Sequence, residues 1–219
     1  MKFTEKLYEN VEEIWTSYYS HPFIKGIGDG TLDLDKFKFY MIQDYLYLLD
    51  YAKIYALGVV KADTEEVMQG FSSMVDNILN GEMSIHRSYM KRLGITKEEI
   101  KNTKQSLPNL SYTHYMLSVS HVGSLAELST SLLSCMWSYL EIGKHLSKIP
   151  GATENEFYGE WVRGYISKEY QEATQWIIDL VDSLSKDMNA KDLNKLTEIF
   201  ITTSKYEYMF WDMSYNKES

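Results

Sequence analysis

Apolar residues recur along nearly the whole chain at intervals of three and four, and no stretch keeps up the alternation expected of a strand. Residues 2–19 set Leu7, Val11, Ile14, Trp15 and Tyr18 at helical spacing, and His21-Pro22 closes that helix. Gly26, Gly28 and Gly30 predict a loop. The GxGxG they form precedes no βαβ pattern, so it is not a nucleotide fingerprint. Asp33 reads as the N-cap of a long helix to about Lys61. Asp63 with Glu66 opens the next, which runs to Gly94 as its C′ residue. Thr96 with Glu99 caps a short helix, and residues 102–110 read as a loop around Pro108. A helix then extends to about Gly123, and Ser124 with Glu127 caps another that Pro150-Gly151 brings to a stop. Thr153 with Glu156 predicts a helix through Tyr165, Ser167 one to about Lys186, and Asn189 with Asp192 the last, to about Tyr215. Eight or nine helices result, with no internal repeat and no linker: one all-α domain over residues 1–219, a multi-helix bundle.

The stretch at residues 105–140 stands out against this pattern. It holds a single formal charge, Glu127, and nine serines, so it suits helices through the centre of a globular protein rather than a lipid-facing span. Cys135, the only cysteine, lies here with Tyr139 one turn on and on the same face. Position alone makes it an inert core residue, because free cysteine usually packs as a small hydrophobe. Only its companions can change that reading.

Composition narrows the field. A length of 219 residues fits one domain, and three prolines with 12 glycines are too few for a sandwich or barrel. A net charge of −9 argues against nucleic acid, whose binding rests on clustered Lys and Arg. One cysteine fits a reducing compartment, and the N-terminus has no apolar signal region, so the expected location is the cytoplasm, with no membrane partner. The 18 tyrosines, beside 5 tryptophans and 8 phenylalanines, suit a pocket for a flat polar ligand, or else an aromatic core or subunit interface.

Polar residues set in apolar helical faces carry the most information, since burying them is costly unless they are paired. Asp44 is flanked by Ile42, Leu46, Leu48 and Leu49, with Tyr47 and Tyr51 on its face; it is either a carboxylate hydrogen-bonded within a bundle or a ligand contact. Glu207 sits among Tyr206, Tyr208, Phe210 and Trp211, a setting that raises a glutamate's pKa and makes it a candidate general acid, unless it faces solvent. Tyr158, Trp161 and Tyr165 form an aromatic stripe, and Tyr112 lies in the charge-poor stretch. Glu82 with His86, and Glu141 with His145, are spaced i, i+4 and not at the i, i+3 of carboxylate-bridged di-metal bundles, so no metal is expected.

Taken together, Asp44 with Tyr47, Cys135 with Tyr139, the Tyr158–Trp161–Tyr165 segment and the terminal YEYMFW run resemble the TenA family, the thiaminase II enzymes, across the whole chain. The resemblance is to the branch that keeps the cysteine. It implies a haem-oxygenase-like helical fold, a homotetramer, and no metal or organic cofactor. The implied substrate is a small molecule: 4-amino-5-aminomethyl-2-methylpyrimidine, hydrolysed to the hydroxymethylpyrimidine and ammonia in salvage of thiamin's pyrimidine, or thiamin itself, cleaved to the pyrimidine and the thiazole alcohol. It further implies Cys135 as nucleophile at ring C6, Glu207 as proton donor to N1, and Asp44 as binder of the 4-amino group and ring nitrogen. Tyr47 would hydrogen-bond near the thiol, Tyr139 and Tyr165 would contact the pyrimidine, and Tyr112 would line the pocket.

The residues fit that chemistry, because addition at C6 calls for a soft, strong nucleophile. No lysine or arginine lies within a turn of Cys135 to generate its thiolate, so deprotonation concerted with substrate binding is the expectation. The alternative is a non-catalytic pyrimidine-binding or regulatory protein on the same fold.

Overall fold

A computed structural model describes residues 2–218, and among them only helices and turns occur. The order is α1 (Phe3–Ser20), α2 (Pro22–Gly28), α3 (Leu34–Lys61), α4 (Glu65–Asp76), a π-helical segment (Asn77–Glu82) and α5 (Met83–Arg92). There follow α6 (Lys97–Asn102), α7 (Leu107–Val122), α8 (Leu125–Leu146), α9 (Gly159–Tyr165), α10 (Lys168–Ser185) and α11 (Ala190–Asn216). The helical class is as predicted, and the number of helices is higher than expected. No described helix is long and apolar enough to cross a membrane. The chain groups into two compact units, one made of the residues up to Leu32 with Ser129–Trp211, the other of Asp33–Leu128 with the residues from Asp212 on.

In the first unit Leu7, Val11, Trp15 and Tyr18 form the buried face of α1, which packs on α2 and α10. Thr4 ties its start to α10, donating from both N–H and hydroxyl to the Asp182 carboxylate at 2.9 and 3.0 Å. Residues 22–28 are helical, not a loop. The His21 imidazole accepts from the Phe23 N–H and Pro22 occupies the first turn, a strong local start. Gly28 serves packing, since a Cβ there would fall 2.7–2.8 Å from Ile149 and Leu146. The expected cap at Thr153 and Glu156 also fails. The Asn155 side chain accepts from the Phe157 and Tyr158 N–H groups, which makes a turn and delays α9 to Gly159. Tyr158 therefore leaves the aromatic stripe and donates its hydroxyl to the Leu32 carbonyl at 2.6 Å.

The second unit is built on α3, 28 residues and about 42 Å long at 1.5 Å per residue. It packs against α4, α5 and α7. Asp33 caps it as expected, whereas Thr64, not Asp63, caps α4. Pro108 lies within the first turn of α7 and not in a loop, because a proline there gives up no helical hydrogen bond. That first turn is fixed to α3 by Gln43. The Gln43 amide donates to the Lys104 carbonyl and accepts from the Ser106 N–H and the Asn109 amide, all at 3.0 Å. The Thr96–Glu99 and Ser124–Glu127 boxes form as predicted, and Gly94 takes the left-handed conformation at φ +67°.

Candidate active site

Cys135, Tyr139 and Gly143 mark one face of α8 at four-residue intervals. Gly143 determines what can lie against that face. A Cβ there would meet Ile166 at 3.0 Å and the Tyr165 Cβ at 3.1 Å, so the missing methyl lets the end of α9 come close. Tyr165 thereby reaches Tyr139, with ring centroids 4.7 Å apart, and Trp161 joins at 4.6 Å from Tyr165. Trp211 of α11 packs 5.0 Å from Tyr139. Glu207, one turn before Trp211, is 2% exposed, which removes the reading that it faces solvent.

Tyr18 belongs to the same unit as the thiol and the carboxyl. It is fully buried, and its hydroxyl donates to the Ser204 carbonyl at 2.5 Å. Its pKa is pushed well above the usual 10.0, chiefly by burial and then by the charges of Glu207 and Cys135, against a smaller opposing effect of the Ser204 bond. One phenol thus lies in the field of both groups. Trp15 donates to the Ser204 hydroxyl at 3.0 Å, so α1 grips α11 one turn ahead of Glu207. Sequence reasoning placed Tyr18 only in a core stripe, and its local pattern is that of any buried helical tyrosine.

In the second unit Asp44 is buried, and one of its oxygens lies 2.6 Å from His86 Nε2. His86 Nδ1 lies 3.0 Å from the backbone carbonyl of Glu82, so the Glu82–His86 spacing is realised through the main chain. Asp44 is therefore hydrogen-bonded within the bundle, one of the two readings its sequence allowed. His86 was missed as its partner: it lies in a polar helix, and nothing local links it to a residue 42 positions earlier. Tyr47 stacks on Tyr51 at 5.2 Å and lies 5.3 Å from Tyr112, with its hydroxyl 4.0 Å from the Met116 sulfur. Among the described residues no group of three or more His, Cys, Asp and Glu is placed to hold a metal ion.

The predicted residues thus fall into two sets. Cys135, Tyr139, Tyr165 and Glu207 belong to the first unit, and Asp44, Tyr47 and Tyr112 to the second. The first set places a buried thiol and a buried carboxyl in a unit that also holds the Tyr139, Trp161, Tyr165 and Trp211 ring cluster. The chain belongs to the TENA/THI-4/PQQC family, whose model matches residues 8–217. It is 54% identical over 215 residues to the aminopyrimidine aminohydrolase of Helicobacter pylori, covering 98% of this chain and 99% of that one. It is 48% identical to that of Halalkalibacterium halodurans, covering 99% and 97%. Among solved structures, a TenA homologue from P. horikoshii superposes with a TM-score of 0.90 at 30% identity over 99% of both chains. A domain from Shewanella denitrificans, described as having a heme oxygenase-like fold, superposes at 0.79 with 16% identity over 98% and 92%, a likeness of fold alone.

Proposed function

We propose that this protein is a hydrolase of thiamin salvage that releases ammonia from 4-amino-5-aminomethyl-2-methylpyrimidine and also cleaves thiamin at the same methylene. The observation that carries the reading is 54% identity, over essentially the full length of both chains, to a protein named aminopyrimidine aminohydrolase. The first unit supplies the chemistry. The Cys135 thiolate adds to ring C6 while Glu207 protonates N1. The electrons gained by the ring then expel the leaving group from the methylene on C5, as ammonia or as the thiazole. The aminomethyl group departs from its protonated form as neutral ammonia, and the thiazolium of thiamin as neutral thiazole. Water adds to the methylene and yields a proton to solvent, the thiolate leaves C6, and N1 returns its proton to Glu207 as the ring regains aromaticity. The sum is one water consumed, one ammonia or thiazole released and one proton set free.

Burial of both Glu207 and Cys135 within one compact unit supports this pairing of acid and nucleophile. Tyr139 and Tyr165 offer ring faces to the pyrimidine. The parts given to Asp44, Tyr47 and Tyr112 rest on the family resemblance, as do the homotetramer and the cytoplasmic location. Light scattering tests the assembly, with an expected mass four times that of the 25.6 kDa chain.

The deciding experiment is ammonia release from the aminomethylpyrimidine by wild type and by Cys135→Ser. Release by wild type, with a loss of several orders of magnitude in the variant, is expected. No release from wild type, with the pyrimidine still bound, would make the protein a binding or regulatory one. Equal release from both would leave the hydrolase but remove covalent catalysis.

A further inference from the structure

We propose that His86 is a positioning residue, which holds Asp44 so that one carboxyl oxygen remains committed to accepting a hydrogen bond from the ligand's amino group. This rests on the reading that Asp44 contacts the aminopyrimidine.

The proton inventory comes from the geometry. The Glu82 carbonyl, 3.0 Å from Nδ1, has no proton to give, so Nδ1 carries one and donates it. The 2.6 Å contact between Nε2 and Oδ2 then needs a second proton between the two atoms. The pair is thus an imidazolium with a carboxylate or the equivalent neutral tautomer, and in either form its net charge is zero. Both side chains are buried, so neither can turn to water for a substitute partner. One oxygen of Asp44 is taken up by His86. The other has no proton of its own and can only accept.

An acceptor fixed in this way matches an exocyclic amino group and not an unprotonated ring nitrogen, which would itself need a donor. The single-oxygen contact is narrower than the two-point contact with amino group and ring nitrogen that the family resemblance implies. The local backbone serves the same geometry. The π-helical segment Asn77–Glu82 ends on the residue whose carbonyl receives Nδ1, and its extra residue resets the register of α5 relative to α4. Segments of this kind are often found beside functional sites.

The test uses the full-length protein and two probes: the product 4-amino-5-hydroxymethyl-2-methylpyrimidine and its counterpart lacking the 4-amino group. Wild type is expected to bind the amino compound about tenfold or more tightly than the other, the scale of one hydrogen bond to a charged acceptor. His86→Leu should bring the two affinities within about threefold of each other, an effect on discrimination that a general loss of packing would not produce. His86→Gln, whose amide can reach Asp44, should recover part of the preference. If His86→Leu does not fold, His86→Gln is compared with His86→Asn, one methylene shorter. Preference in the glutamine variant alone supports the proposal, and equal preference in both overturns it. Full preference retained in His86→Leu also overturns it.

Asp44→Asn separates the levels of the argument. If it discriminates as well as wild type does, the assignment of Asp44 to the ligand fails, and this proposal fails with it. Absence of ammonia release by wild type would fail the proposed reaction while leaving the binding preference, and hence the part played by His86, to be scored independently.

Discussion

Glu207 and His86 differ in how far a single residue's neighbourhood announces it. Glu207 was legible because four aromatic residues surround it in sequence, and the fold buries it as that run suggests. Its conversion to glutamine keeps the shape and removes the transferable proton. We expect kcat to fall about 10²- to 10⁴-fold, the usual contribution of a general acid, while Cys135 stays as reactive toward an alkylating agent as in wild type. Steady-state kinetics and a thiol-labelling rate check the two halves separately, and an unchanged kcat would remove Glu207 from the chemistry. Asp44 was singled out for a similar reason, as a carboxylate on an apolar face, whereas Cys135 read by position as an inert core residue until the family resemblance gave it a role. His86 was not, because its partner is distant in sequence and its own helix is polar. Its protonation has a consequence for stability. Burial alone would lower its pKa, but the hydrogen bond and charge of Asp44, with smaller help from Glu82, raise it above the ordinary 6.5. The folded state therefore holds this proton more tightly than the unfolded chain. Its contribution is complete below about pH 6.5 and is lost as the pH rises through the raised value. His86→Leu, which leaves Asp44 buried without its partner, should cost about 3–5 kcal/mol near neutral pH. Thermal melts of wild type should show stability falling as the pH rises from about 6.5 through the raised value. The double variant His86→Leu with Asp44→Leu, which lacks both titrating groups, should not share that fall, and equal pH slopes would contradict this account.

At the scale of elements, most helix starts written in adjacent residues were read correctly, and the misses have separate causes, some local and some set by distant packing. The boxes at Thr96–Glu99 and Ser124–Glu127 and the caps at Asp33 and Ser167 involve residues two or three apart, so a local pattern suffices. Helix α2 was missed because its glycines suggest a loop, whereas Gly26 admits the close approach of Leu32 and Gly28 that of Leu146 and Ile149, more than a hundred residues away. Thr153 and Glu156 imitate a capping box, yet Asn155 between them captures the N–H groups that would have begun the helix. Gly143 was likewise silent in sequence, although it governs how closely Tyr165 approaches Tyr139. Gly143→Ala would press a methyl against Ile166 and Tyr165 at 3.0–3.1 Å. We expect a loss of about 1–3 kcal/mol from overpacking and a raised KM as Tyr165 moves, measured by denaturant melts and initial rates. Gly81 provides the opposite case, with nothing within 4 Å of a Cβ built there and no positive φ. Gly81→Ala should stabilise by about 0.5–1 kcal/mol, so the two glycine substitutions differ in sign for reasons of space alone.

For the molecule as a whole, helical class and function class were legible, the first from the period of the apolar residues and the second from four separated motifs in a fixed order. The grouping of the chain into two compact units was not, since it depends on long-range packing that local periodicity does not record. Net charge acts at this scale too. The chain carries −9, and an excess of one sign sets up a field that reaches beyond any single contact. The proposed substrate bears a primary alkylamine that is mostly protonated near neutral pH, so this field favours its approach. Salt shortens the reach of such a field: the Debye length falls from about 30 Å at 0.01 M to about 8 Å at 0.15 M. We therefore expect kcat/KM for the aminomethylpyrimidine to drop a few-fold over that range of ionic strength. Binding of the uncharged hydroxymethyl product should stay nearly constant over the same range, which separates steering of a cation from a general effect of salt on the protein. If both quantities decline in parallel, salt is acting on the folded state or on the pyrimidine contacts. If neither changes, the acidic groups lie too far from the route the substrate takes, and the negative charge concerns solubility instead of catalysis.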